Sequence, residues 1–218
     1  MVNFKETQKR IKEGIDVILP DYKGKIEGGG NIFHRRKISK NTIIVNHNML
    51  NYQMNFPITC GFAVSNDVIN YHLCKIYKLP QGTKTGFNIA THFNINDAQE
   101  WYIIKNEIDI DSWLSFLKIN LPKKLTEIQQ FDELEYQENY LNSALLNASD
   151  PKINIIENSL SLIYAKIVNK PYFNEIADKI KIALIKNNAG ASYKEQFDNT
   201  INYLTDKTSE DLKQLNNN

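Results

Sequence analysis

Apolar residues Phe4, Ile11, Ile15, Ile18 and Leu19 recur at helical spacing, with Lys5, Glu6, Lys9, Arg10, Lys12 and Glu13 on the other side of the projection. The pattern predicts an amphipathic first helix that Pro20 stops and that must cover another apolar surface. Gly24 and Gly28-Gly29-Gly30 break the period, after which residues 31–38 and 42–50 predict a hairpin across Ser39-Lys40-Asn41. The clearest strand is 56–64, where Phe56, Ile58, Cys60, Phe62 and Val64 alternate with Pro57, Thr59, Gly61 and Ala63. Residues 87–95 repeat the alternation, with Phe87, Ile89, Phe93 and Ile95 set against Asn88, His92 and Asn94, and 101–105 predict a last strand. Between them, Asp67 precedes Ile69, Leu73, Ile76 and Tyr77 at helical spacing, and Pro80-Gln81-Gly82 ends a short inserted helix.

Beyond the strands the period becomes helical. Asp111 is the expected N-cap of a helix carrying Trp113, Phe116 and Leu117. Pro122 is expected to restart it before Leu125 and Ile128, and Asp132 with Glu135 fits a capping-box variant before Leu134, Leu141 and Leu145. Asp150-Pro151 marks an expected domain boundary. Three helices follow: one with Ile156, Leu160, Ile163 and Ile167, one after Pro171 with Phe173, Ile176, Ile180 and Leu184, and one after Gly190. The last has Ser192 and Glu195 as a capping box and Tyr193, Phe197, Ile201 and Leu204 inside. No sharp repeat consensus recurs, so a solenoid is not expected. The expected class is therefore α+β. An antiparallel sheet with an N-terminal helix and following helices fills residues 1–148, a C-terminal three-helix segment fills 149–208, and a polar, disordered tail fills 209–218.

The order of elements and the residues Ile32-Phe33-His34-Arg35-Arg36, Val45-Asn46-His47, Trp101-Tyr102, Leu121-Pro122, Phe131-Asp132 and Tyr140-Leu141 resemble the bacterial domain-of-unknown-function 4304 family over roughly residues 4–145. The chain departs from that pattern in its Asn/Ile-rich strands and its separate helical tail. The resemblance implies an α+β domain and no particular reaction.

Composition narrows the classes. The 218 residues contain 26 Lys+Arg and 25 Asp+Glu, with 42% hydrophobic residues, which excludes both a disordered chain and a wholly basic nucleic-acid protein. No run approaches the roughly 18 apolar residues of a membrane span, and charges crowd the first 30 positions where a signal peptide needs an apolar core. A cytoplasmic protein without membrane contact is expected. Asn (28), Ile (29) and Lys (23) are abundant enough to reflect an AT-rich coding sequence, so single asparagines, including the Asn147-Ala148-Ser149 triplet, carry no weight. Cys60 and Cys74 are too few for a disulfide framework or a cysteine-based zinc site and are expected reduced and buried.

Candidate chemistry is sparse. Gly28-Gly29-Gly30 lacks the following Lys-Ser or Lys-Thr of a phosphate loop and precedes a strand, so it reads as a turn. His34, His47, His72 and His92 include no i, i+4 pair. His34 and His47 can approach across the hairpin, but they are expected half-exposed and satisfied, with no metal and no cofactor. In the basic run His34-Arg35-Arg36-Lys37 alternation puts only half the residues on either face. Cys60 lies in an apolar register, Cys74 and His72 diverge on a helix, and no Gly-x-Ser-x-Gly is present.

Charge by segment is more informative. Residues 1–40 carry ten Lys+Arg against five Asp+Glu, whereas 106–150 carry three lysines against nine carboxylates. The acidic group Asp109, Asp111, Glu127, Asp132, Glu133, Glu135 and Glu138, with Tyr136 and Tyr140, suits a basic partner. The sequence therefore predicts a non-enzymatic interaction protein, such as an inhibitor or immunity protein for a basic toxin. It is expected to bind that protein through Asp132, Glu133, Glu135, Tyr136, Glu138 and Tyr140 and an exposed sheet face. The alternative is a nucleic-acid or nucleotide-processing protein using His34, Arg35, Arg36, Lys37 and His47. A scaffold acting through the last three helices is a third reading.

Overall fold

Asn3 opens the first helix by accepting the N–H groups of Lys5 (2.9 Å) and Glu6 (3.3 Å), and α1 runs Phe4–Ile18 with Ile11 and Ile15 fully buried. The computed structural model describes residues 2–53, 55–80, 83, 89–93, 101–148 and 154–214, with backbone alone at 91–93 and 155. The fold is α+β and divides into two units, Met1–Ser65 with Ile89–Gln130, and Asn66–Asn88 with Phe131–Asn218.

The first unit is built on an antiparallel sheet of β1 (Lys23–Glu27), β2 (Asn31–Ile38), β3 (Asn41–Met49), β4 (Phe56–Asn66) and β5 (Ile89–Phe93) in that order, with β6 (Tyr102–Ile104) also paired to β4. Strands β2 and β3 turn across Ser39-Lys40, with Ser39 in the left-handed region (φ 51°). Their register sets Val45 opposite His34 and His47 opposite Ile32, so the two histidines are diagonal neighbours on one face. β1 was not anticipated, because Lys23-Gly24-Lys25-Ile26-Glu27 has no apolar alternation; hydrogen bonding to β2 alone makes it an edge strand.

Helix α3 (Glu107–Ile128) joins α1 over this sheet and buries Ile110, Trp113, Leu117 and Leu121. Its N-cap is Asn106, in a capping box with Asp109, instead of Asp111. Pro122 does not restart the helix but sits inside it; the buried stripe on both sides outweighs the roughly 3 kcal/mol that an interior proline costs. Two glycines are required by close approach. A Cβ on Gly24 would lie 2.7 Å from His34 Nε2 and collide with Asp16 Oδ1, while Gly30 (φ 91°) leaves no room before the Met49 carbonyl.

The second unit is helical. It comprises α2 (Asp67–Ile76), a turn ending at Asp132, α4 (Leu134–Asn147), α5 (Ile155–Ile167), α6 (Phe173–Lys186), α7 (Ala191–Thr205) and α8 (Ser209–Lys213). Leu160, Ile163, Tyr164 and Ile167 of α5 form the centre, packed with Ile176, Ile180 and Leu184 of α6, Leu204 of α7, Leu212 of α8, and Val68, Ile69, Leu73 and Ile76 of α2. This unit is larger than the expected segment 149–208, because the apolar faces of α2 and α4 join the same core; the Asp150-Pro151 boundary lies outside the described residues. Two expected caps do not form. Glu133 precedes α4 and Gly190 precedes α7, neither with a side-chain cap bond. The expected disordered tail is helical over Ser209–Lys213, where Thr208 and Asp211 cap each other and Leu212 is buried. Among the described residues no helix is long and apolar enough to cross a membrane.

Candidate functional site

The residues expected to bind a partner gather at the start of α4. Phe131 is buried, and the rings of Tyr136 and Tyr140, one helical turn apart, meet it edge-on at 4.9 and 5.1 Å. Both tyrosines nonetheless stay 37% and 47% exposed, and Asp132, Glu133 and Glu135 are exposed beside them. Glu135, in the first turn of α4, is favoured there by the helix dipole.

Glu138 does not belong with them. It is fully buried, taking the Tyr172 hydroxyl on both carboxylate oxygens (2.8 and 2.7 Å) and the Asn142 amide on Oε1 (2.8 Å), with Lys170 Nζ 3.9 Å away. Asn142 also donates to the Ser161 carbonyl, and neighbouring Gln137 accepts the Tyr164 hydroxyl and donates to the Phe131 carbonyl. The reason is rotational: Leu134, Gln137, Glu138, Leu141, Asn142 and Leu145 share the inward stripe of α4. The polar members of that stripe form a network that fastens α4 to α5 and the start of α6. Burial, with Glu138 beside it, pushes the Tyr172 phenol up and keeps it a donor.

The remaining carboxylates of the acidic segment are engaged locally. Glu107 and Asp111 pair with Arg10, the latter at 2.7 Å, Asp109 accepts the N–H groups of Lys105 and Asn106, and Glu127 pairs with Lys124 at 2.7 Å.

The hairpin residues do not converge. Arg35 and Lys37 lie on one face, His34 and Arg36 on the other. Arg35 pairs with Glu27 (2.9 Å) over the Phe33 ring, Arg36 stands over Tyr22, 4.0 Å from Asp21, and Lys37 donates to the Lys40 carbonyl. His34 and His47, expected half-exposed, are fully buried because α1 and α3 cover their face. Their rings form a row: Lys12 to Asp16 at 2.5 Å, Asp16 to His34 Nε2 at 3.0 Å, His34 to His47 at 6.2 Å between centroids, and His47 Nε2 to Cys60 Sγ at 3.9 Å, with Trp113 edge-on to His47. Both Nδ1 atoms lack a hydrogen-bond partner among the described residues.

Burial pulls His47 down to about 3, reinforced by His34, and lowers His34 against the pull of Asp16; it also pushes the Cys60 thiol up. The row is therefore neutral beyond Asp16, and its thiol is protonated and out of reach of solvent. His72 is also buried. Its Nδ1 lies 2.8 Å from the Tyr203 hydroxyl and its Nε2 2.7 Å from the Leu212 carbonyl, so it fastens α2 to α7 and α8. The side chain of His92 lies outside the described residues. Among the described residues no group of three His, Cys, Asp or Glu is placed to hold a metal ion.

One feature had no sequence signal beyond the Lys166/Lys170 spacing. A cleft of about 690 Å³ lies between the end of α5 and the α7–α8 turn, lined by lysines from both. No family model, no curated protein and no solved structure matches the chain.

Proposed function

We propose that this is a non-enzymatic protein-interaction protein that docks a basic protein through Asp132, Glu133, Glu135, Tyr136 and Tyr140. The observation that carries this reading is the pair of half-exposed tyrosines braced on Phe131 and flanked by three exposed carboxylates within a single turn and helix start. Aromatic rings supply contact area at little entropic cost, and the surrounding negative charge selects a cationic surface and speeds encounter. An inhibitor or immunity protein for a basic toxin is the form of this activity that the charge favours. Burial of His34, His47 and Cys60 argues against chemistry along the histidine row and against phosphate contacts by the two hairpin histidines.

The test is affinity capture with the wild-type chain and with Glu133→Lys/Glu135→Lys and Tyr136→Ala/Tyr140→Ala variants, leaving the buried Glu138 untouched. The expected result is one basic protein held by the wild type, released by added salt and lost from both variants. Retention of that protein by both variants with unchanged salt dependence refutes the proposal.

A further inference from the structure

We propose that the face of the sheet turned away from α1 and α3 binds single-stranded nucleic acid across β1, β2 and β3. His34 and His47 are buried under the two helices, so the residues alternating with them share the opposite face. The register sets Lys23 beside Arg35, Lys25 beside Phe33 and Glu27 beside Asn31. It continues into β3 with Asn46 beside Phe33, Asn48 beside Asn31 and Thr42 beside Lys37. Along these three strands that face carries Lys23, Lys25, Arg35 and Lys37 against a single carboxylate, Glu27.

One carboxylate does not match four cations. Glu27 bonds Arg35 at 2.9 Å and lies 4.0 Å from Lys25, while Lys23 has no carboxylate partner among the described residues. Lysines on an exposed edge strand hinder pairing with another sheet, which accounts for Lys23 and Lys25 on β1. It does not account for Arg35 and Lys37, which lie on β2, a strand with partners on both sides. Strands also bring only small net dipoles, so no helix end explains the excess of positive charge. A polyanion laid across β1 and β2 complements it.

The cations surround a flat aromatic centre. Phe33 is half-buried, and Arg35 crosses its ring, with Cζ 4.5 Å from the centroid, on the way to Glu27. The ion pair with Glu27 therefore holds a guanidinium plane over the phenyl ring, a surface on which a base can stack. Around it the side chains are short and polar: Asn31, Thr42, Asn46 and Asn48, all half-buried, with Asn46 Oδ1 lacking a hydrogen-bond partner among the described residues. A duplex offers this face only phosphates. A single strand offers phosphates to the lysines at the margin and bases to the centre, which favours the single strand.

The experiment is fluorescence anisotropy of the intact chain with labelled DNA and RNA strands of about 12 nucleotides, with the matching duplex and poly-glutamate as competitors. Expected results are saturable binding of a single strand, weaker competition by the duplex and by poly-glutamate, and a slope of log affinity against log salt of about −2 to −3. Lys23→Gln/Lys37→Gln should weaken binding about tenfold and make that slope shallower by about 1–1.5, whereas Phe33→Leu should weaken binding with the slope unchanged. Lys181→Gln, on the exposed side of α6, should bind as the wild type, and circular dichroism verifies that each variant is folded. No saturable binding at low salt, equal binding by the lysine variant, a duplex that competes as well as the single strand, or equal competition by poly-glutamate overturns the proposal. Charge reversal at Glu133 and Glu135 leaves this titration unchanged, so the sheet face stands or falls separately from the docking surface.

Discussion

Replacing His47 isolates one term in the acid stability of the first unit. His47 is fully buried between His34, Cys60 and Trp113, and its folded-state value is about 3 against 6.5 in the open chain. Because the folded form resists the proton, the unfolded form binds more protons below pH 6.5. The stabilisation is complete above that value and is lost as pH falls from 6.5 towards 3. The whole gap corresponds to about 5 kcal/mol, of which about 2 kcal/mol is gone by pH 5. His47→Leu removes the titration while keeping side-chain volume. It also deletes an Nδ1 with no hydrogen-bond partner among the described residues, so the cost at pH 7.5 should be small.

Both tryptophans, Trp101 and Trp113, lie in the first unit, so fluorescence during urea unfolding follows that unit. Between pH 7.5 and pH 5 the wild-type midpoint should fall by about 1–2 M urea more than that of His47→Leu. Equal losses in the two proteins would show that His47 is not held neutral by its surroundings.

Two substitutions probe the packing on either side. Gly24→Ala drives a methyl into Asp16 Oδ1 and His34 Nε2, and should cost about 1–3 kcal/mol in the same urea assay; wild-type stability would remove the close approach from the account. Glu138→Ala leaves the Tyr172 hydroxyl and one of the two Asn142 amide hydrogens without their acceptor inside the helical unit and should cost about 3–5 kcal/mol by circular dichroism. Tyr172→Phe should cost about 1.5–3 kcal/mol, and a larger loss for Tyr172→Phe than for Glu138→Ala would contradict the burial of the carboxylate.

Period-2 and period-3.6 patterns carried most of the fold. The Phe56–Val64 alternation, the hairpin and the amphipathic first helix appear where they were expected, because each presents one apolar face to a core. What escaped the pattern lacks such a face. β1 is an edge strand of Lys, Gly and Glu held by backbone bonds, and α8 contributes a single buried Leu212 within a polar run. Cap assignments failed where several polar residues competed: Asn106 capped α3 in place of Asp111 four residues into the acidic stretch. The histidines were misread as half-exposed because their strand alternation was legible, but the covering of that face by α1 and α3 was not. Glu138 was misread because its own helix was treated as an undifferentiated acidic surface, although its place among Leu134, Leu141 and Leu145 already turned it inward.

Summing charge along a segment overstates what a partner can feel. Of the nine carboxylates in 106–150, Glu107 and Asp111 share Arg10, Glu127 pairs with Lys124, Asp109 caps a helix and Glu138 is buried, while Asp132, Glu133 and Glu135 are exposed beside the two tyrosines. Three exposed charges screened over about 8–10 Å steer encounter but add little to a formed complex. In the proposed docking, holding the partner therefore falls to Tyr136 and Tyr140, whose rings are already fixed against Phe131 and would lose little freedom on binding. With the captured partner in hand, surface plasmon resonance should separate the two roles. Glu133→Lys/Glu135→Lys should slow association and flatten its salt dependence, while Tyr140→Ala should mainly speed dissociation. A tyrosine variant that alters association alone, or a charge variant that alters dissociation alone, would reverse this division of labour and with it the docking geometry proposed for α4.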